Sequence, residues 1–180
     1  MLSSRLVPKS AKTLKALLNY FVDLCLLRTA PQDLPASALL LRMSVALYVV
    51  IGVVMIVNSD ITVVTAFAVN LFEVLLMLTT LFLGLRLYGR SSRFQQTATA
   101  LMGSGVLLGL LTLPLIGGSH QAQSTEAALL MLVLLIWNLV VIGHILRHAF
   151  DIWFGWAVLI AGLYYEIFWF LINELFPGTI

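Results

Sequence analysis

Four residues of this 180-residue chain could do chemistry inside hydrocarbon: Asn70, Glu73, Asn138 and Glu166. Each interrupts an apolar run long enough to cross a bilayer. Glu73 stands thirteen residues from Asp60, about 20 Å along a helix rising 1.5 Å per residue, close to a bilayer midplane. A charge there costs about 2.5 kcal/mol or more, so such a residue is by default functional or paired. Asn138 is twelve residues from Glu126, and Glu166 is eight from Glu174, giving depths of about 18 and 12 Å. Asn70, one turn outward of Glu73, reaches the depth of Glu166. The four are expected to form one intramembrane polar network. Two carboxyl groups at close range do not both stay ionised, so at least one is expected to be protonated. Such a network suits a proton or cation relay, a pocket for a headgroup or partner helix, or interhelical hydrogen bonds that fix packing at about 0.6 kcal/mol per contact.

His144 and His148 form a second group, four residues apart on one helical face, with Arg147 between them and Asp151 beyond. Two imidazoles at that spacing can supply part of a zinc site, but further ligands are needed and Asp151 is the obvious local candidate. Two histidines on one helix cannot ligate a haem from opposite faces. No metal or other cofactor is expected, and His144, Arg147 and His148 are expected to contact lipid phosphate or a neighbouring protein. The chain has no nucleophile with an evident base, no HExxH and no phosphate loop. It also has no basic surface with interleaved aromatics, so neither a catalytic residue nor a nucleic-acid partner is expected. The single cysteine, Cys25, excludes an internal disulfide and a multi-cysteine metal site.

Composition dictates the elements that must position these groups. With 61% hydrophobic and 10% charged residues and a mean hydropathy of +1.05, the chain lies far from the roughly 25% charged usage of soluble domains. An all-α polytopic membrane protein is expected, with five spans at residues 36–57, 61–85, 94–116, 126–146 and 150–176. Residues 1–35 form a basic segment ahead of this 36–176 bundle, and residues 177–180 form a short external tail. The basic start invites a signal-peptide reading, but Asn19 and Asp23 interrupt the apolar stretch and no A-x-A site follows. Lys12, Lys15, Asn19 and Asp23 instead recur at helical spacing opposite an apolar face. This predicts an interfacial helix whose Lys9, Lys12 and Lys15 meet anionic lipid headgroups. Pro31 and Pro35 predict a stiff elbow, with Asp33 capping the next helix and Pro35 in its first turn. Gly105 and Gly109 make a GxxxG pattern, which lets helix backbones approach within the chain or between copies.

Under five alternating spans, all ten Lys and Arg residues fall on one side, whereas Asp60, His120, Glu126 and Glu174 fall on the other. The positive-inside rule then predicts a bacterial inner-membrane protein with a cytoplasmic N-terminus and a periplasmic C-terminus. The order of spans resembles the Yip family of small five-span membrane proteins. So do the basic link Arg86 to Arg93 leading into Phe94-Gln95-Gln96, the small-residue third span ending Leu113-Pro114-Leu115, and the short hinge Gly143 to Asp151. That resemblance implies a tight bundle after a cytoplasmic N-terminal region and identifies no active-site residue. The acidic, aromatic N-terminal segment of eukaryotic members, with their binding of prenylated Rab GTPases, has no counterpart here.

These features lead to the expectation of a non-catalytic scaffold or accessory subunit of a larger membrane assembly, surrounded by lipid and contacting other membrane proteins or itself through its spans. The alternatives are a small proton-coupled transporter using Glu73 and Glu166, and a lipid-binding protein.

Overall fold

The computed structural model describes residues 9–57, 61–116 and 125–176, with side chains of the first helix from Lys15 onward. The expected turn Asn58-Ser59-Asp60, the loop after Ile116 including His120, the tail 177–180 and the side chains of Lys9 and Lys12 lie outside the described residues. Six helices follow in order: α1 (Lys9–Cys25), α2 (Ala38–Val57), α3 (Val63–Leu87), α4 (Phe94–Ile116), α5 (Thr125–Phe150) and α6 (Phe154–Leu175). The last five are long and apolar enough to cross a membrane, and the described residues contain no strand. The chain is an all-α polytopic membrane protein.

Helix α4 is the axis of the bundle, packed against α1, α2, α3 and α5. Its eight consecutive residues Thr97 to Ser104 are all buried, possible only because most of them are small. The hydroxyls of Thr97, Thr99 and Ser104 turn back onto the carbonyls of Arg93, Gln95 and Leu101 at 2.9, 2.7 and 3.1 Å. Each polar group is thus satisfied within the helix and can be enclosed without an outside partner. The glycine pattern works inside the chain: a Cβ on Gly105 would stand 2.5 Å from the Tyr48 ring and one on Gly109 2.8 Å from Ile51, both of α2. Missing side chains therefore set the α2–α4 separation.

At one end of the bundle three turns share one device. Leu27, Gly89 and Asp151 take φ of 62°, 69° and 57°. The amides of Arg28, Arg90 and Ile152 reach back to the carbonyls of Asp23, Leu85 and Arg147 at 2.9, 2.7 and 3.2 Å. This is the closure that ends a helix with one left-handed residue, at no steric cost for Gly89. Because the α5–α6 break waits for Asp151, α5 runs four residues beyond the expected Leu146. His144, Arg147 and His148 are consequently helical, with the Arg147 guanidinium in the last turn, where the helix dipole favours a cation. Arg90 pairs with Asp151 at 3.1 Å, tying two of these turns together. Arg28, Arg93 and Arg147 belong to the same end, which is therefore basic.

The elbow is built differently from its expected form. Asp33 Oδ2 accepts from the Ala30 amide at 3.0 Å and closes a 3₁₀ turn over Pro31–Asp33 instead of capping α2. Leu34 is extended, as the residue before a proline prefers, so Pro35 remains outside the helix. The Ser37 hydroxyl receives the Leu40 amide at 3.4 Å and takes the capping position. Gln96 of α4 holds the elbow by donating to the carbonyls of Gln32 and Leu34 at 3.0 and 2.7 Å.

Helix α1 does more than rest on a surface. Phe21, Leu24 and Cys25 are buried in the common core, with Phe21 seated over the bare backbone of Gly103. That contact lies nine residues past the start of α4, about 13 Å along its axis. Leu18, Val22 and Leu26 remain exposed on the opposite face. Tyr20 donates to the Ala30 carbonyl at 2.6 Å, and burial pushes its phenol up to about 12, so it stays a donor at physiological pH. Burial likewise pushes the Cys25 thiol up to about 11, leaving little thiolate for modification.

The glycines of the bundle should answer alanine in opposite ways. Gly105→Ala is expected to lower stability in detergent by about 1–3 kcal/mol through overpacking against Tyr48. Gly162→Ala, where nothing lies within 4 Å of the added carbon, is expected to gain up to about 1 kcal/mol from helix propensity. Equilibrium denaturation of the two variants checks both signs.

Candidate functional site

Glycine contacts also position the intramembrane polar groups. Because Tyr48 lies on the bare backbone of Gly105, its hydroxyl reaches across to α3 and donates to Glu73 Oε1 at 2.8 Å. Gly52 does the same for Asn70, whose amide packs onto the space a Cβ would fill. Asn70 is 1% exposed, and its Nδ2 stands 3.5 Å from Glu73 Oε2, at the limit of a hydrogen bond. Its Oδ1 is buried and has no donor among the described residues. On the other side of the bundle, Tyr164 of α6 donates to the Glu73 main-chain oxygen at 3.3 Å, and Asn138 Nδ2 of α5 donates to the Tyr165 hydroxyl at 2.8 Å.

All of these residues but Tyr164 line a partly open cavity of about 610 Å³ to which all five spans contribute. Glu73, Asn70, Tyr48, Asn138 and Tyr165 form its polar part, and the remaining wall is almost wholly aliphatic and methionine, with Gly105 and Gly109 on the α4 side. A smaller cavity of about 120 Å³ lies between α3 and α6 and extends toward the basic end, where Phe150 bounds it. Met77, Leu101 and Ile142 border both.

The expected network is thus assembled in part and enlarged. Asn70 and Glu73 are together, and Asn138 faces the same cavity through Tyr165. Glu166 is not with them: it is exposed on the outside of α6. Depth along the helix is a poor guide without rotation, since each residue turns the side chain by about 100° and Tyr165 takes the inward position. The three tyrosines were missed. Their signal is position, because Tyr48, Tyr164 and Tyr165 stand well inside apolar spans, whereas tyrosine in a membrane protein belongs by default at the interfaces.

The histidines serve the elbow. His144 is 7% exposed and meets the Thr29 carbonyl through Nε2 at 2.9 Å. His148 stands edge-on to His144 with ring centroids 4.6 Å apart. Its main-chain oxygen receives Gln32 Nε2 and, at 2.9 Å, Arg93 Nη1. Among the described residues no three His, Cys, Asp or Glu side chains gather, and Asp151 is engaged by Arg90. The chain's own elbow therefore occupies the His144 face expected to meet lipid phosphate or a neighbour, whereas Arg147 and Lys15 are exposed. Trp137 pins the end of α1 by donating to the Cys25 carbonyl at 3.1 Å.

A double-mutant cycle separates the assembled pair from the stray carboxylate. Tyr48→Phe and Glu73→Gln are expected to couple by about 0.5–1.7 kcal/mol, the range of interhelical hydrogen bonds in membranes. Tyr48→Phe and Glu166→Gln should be additive within about 0.3 kcal/mol.

No family model matches this chain, and no curated protein or solved structure matches it either, so the reading of the site rests on its own geometry.

Proposed function

We propose that this integral membrane protein binds a small amphiphilic molecule in its central cavity and acts as a carrier or receptor site for it, without catalysing a reaction. The observation that carries this reading is the position of Glu73 in the wall of a 610 Å³ space. Ligand pockets typically measure about 300–1,000 Å³ and combine an apolar lining with a few convergent polar groups. The six polar side chains in its lining, Tyr48, Asn70, Glu73, Thr112, Asn138 and Tyr165, come from all five spans, as expected of an intramembrane site formed between helices.

This choice favours the lipid-binding and transporter alternatives over the scaffold. The small-residue stripe that motivated a scaffold interface is occupied by the chain's own α2 at Gly105 and Gly109. Of the two carboxylates expected in a transporter, Glu73 alone faces the cavity. The Yip-like resemblance is retained here as a proposal about architecture, not about binding a prenylated GTPase.

Native mass spectrometry of the chain released from its own membranes in mild detergent tests the ligand. The wild type and Glu166→Gln are expected to carry a bound small molecule that Leu108→Trp lacks, since Leu108 lines the cavity and the larger ring obstructs it. A folded wild type carrying nothing that Leu108→Trp lacks counts against the proposal.

We further propose that the basic end faces the cytoplasm of a bacterial cell. A topology reporter fused after Ile180 is expected to be active only in a periplasmic form, and cytoplasmic activity would reverse the orientation.

A further inference from the structure

We infer that the ligand of the central cavity is a lipophilic monocation: one positive charge, with the charge-bearing atom close to Glu73, on an apolar body. The inference rests on the reading of this cavity as a ligand site and names the class of molecule that fits it.

Glu73 is a carboxyl group in the interior of a membrane-spanning bundle, and the donors that reach it are neutral. They are the Tyr48 hydroxyl at 2.8 Å and the Asn70 amide at 3.5 Å. The nearest basic residue along its own helix, Arg86, is thirteen residues away, about 20 Å at helical rise. The other described arginines belong to the basic end, and His144 is turned to the elbow carbonyl of Thr29. A carboxyl group buried without a cation among its described neighbours gains its charge partner when a cation enters the cavity.

Asn70 Oδ1 points to the same class independently. Among the described residues it is an acceptor without a donor, on a side chain 1% exposed in the cavity wall. Its amide nitrogen is the group turned toward the Glu73 oxygen. A carboxyl group and, in the same wall, an acceptor with no donor among the described residues suit a cation or a polarised N–H or C–H group better than an anion. They repel a phosphate, and among the described residues no arginine or lysine lines the cavity to hold one. A cation therefore fits this site better than the headgroup of an anionic lipid.

The rest of the wall selects the body of the ligand. Tyr48 and Tyr165 are the aromatic residues of the wall, and a poorly hydrated cation that reaches their rings gains cation–π stabilisation. Leu101, Leu108, Ile142 and Met55 supply an aliphatic and thioether lining without a further charge. A strongly hydrated inorganic ion would leave most of this volume unfilled, whereas an organic cation of drug size fills it.

Tetraphenylphosphonium, tetraphenylborate and triphenylphosphine oxide offer a positive, a negative and a neutral probe of similar shape. Binding of each to the full chain in detergent, measured by equilibrium dialysis with excess cold competitor, is the test. Tetraphenylphosphonium is expected to bind saturably, one per chain, roughly tenfold or more tighter than either of the others. Glu73→Gln should weaken it by a similar factor, with Glu166→Gln as the unaffected control. If Glu73→Gln fails to fold, Leu108→Trp provides the second arm: it leaves the carboxyl group intact and is expected to lose binding. Equal binding of the three probes would overturn the cationic class while leaving a ligand cavity in place. Absence of saturable tetraphenylphosphonium binding, or binding indifferent to both Glu73→Gln and Leu108→Trp, would overturn the inference outright. The ligand-cavity reading itself fails separately, when nothing bound in the native membrane is lost on obstructing the cavity.

Discussion

The contact of the Tyr48 ring with the bare backbone of Gly105 links the fold to the site. It lets α2 and α4 pack at a distance that any side chain at 105 would forbid, and it delivers the Tyr48 hydroxyl to Glu73. Gly52 and Asn70 repeat the device between α2 and α3. In both cases a missing side chain on one helix makes room for a polar side chain from another, and both polar groups converge on one carboxyl group. In water such close packing would be driven mainly by expulsion of solvent from apolar surface. In lipid that drive is absent between spans, and van der Waals fit together with hydrogen bonds must suffice. The same two contacts therefore hold three helices together and define the polar end of the cavity.

Stability is a poor reason for this arrangement. A charged carboxylate deep in the bilayer costs about 2.5 kcal/mol or more, whereas interhelical hydrogen bonds in membranes return about 0.6 kcal/mol each. Tyr48 and a long contact from Asn70 do not offset that cost, and a leucine at position 73 would avoid it. Asn70 adds to the expense with an oxygen that has no donor among the described residues. In the proposed complex a ligand cation would supply the charge partner that neither Tyr48 nor Asn70 provides. The buried hydroxyls of α4 provide the contrast, since Thr97, Thr99 and Ser104 are each satisfied within their own helix and ask for nothing from outside.

Most of the architecture was legible because the bilayer imposes it. Runs of apolar residues marked the five spans, and the confinement of lysine and arginine to one side gave their alternation. The errors share a physical cause. Depth is counted along one helix and needs only the rise per residue, and Asn70, Glu73 and Asn138 do line one cavity. Which way a side chain faces depends on where the other helices stand, and a span that is apolar all round carries no phase signal. Glu166 and Tyr165 differ by one residue and face opposite ways for that reason. Polar tips on otherwise apolar rings hid Tyr48, Tyr164 and Tyr165 in the hydrophobic count. Helix α1 had a clear amphipathic pattern, but only its docking against Gly103 distinguishes a helix wedged into the bundle from one lying on the lipid.

The two ends of the bundle are built unequally, and the cavity follows that inequality. At the basic end the elbow is fastened by Gln96, Gln32 and His144, three helices end in the same left-handed closure, and Arg90 bridges two of those turns to Asp151. Phe150 stands over Gly84 and edge-on to Tyr88, bounding the lower cavity. Toward the opposite end the larger cavity reaches Met55 and Thr112, two and four residues from the last turns of α2 and α4 at Val57 and Ile116. Between the two spaces stand Met77, Leu101 and Ile142, apolar side chains without hydrogen bonds to break. A ligand held at Glu73 thus has an apolar neck on one side and a long open cavity on the other. Passage toward the basic end would require rotamer changes at the neck and movement of Phe150, while the fastened elbow and turns could stay as they are. A carrier working in this frame would rock α3 and α6, which make few contacts with each other, around the fixed α2–α4 pair.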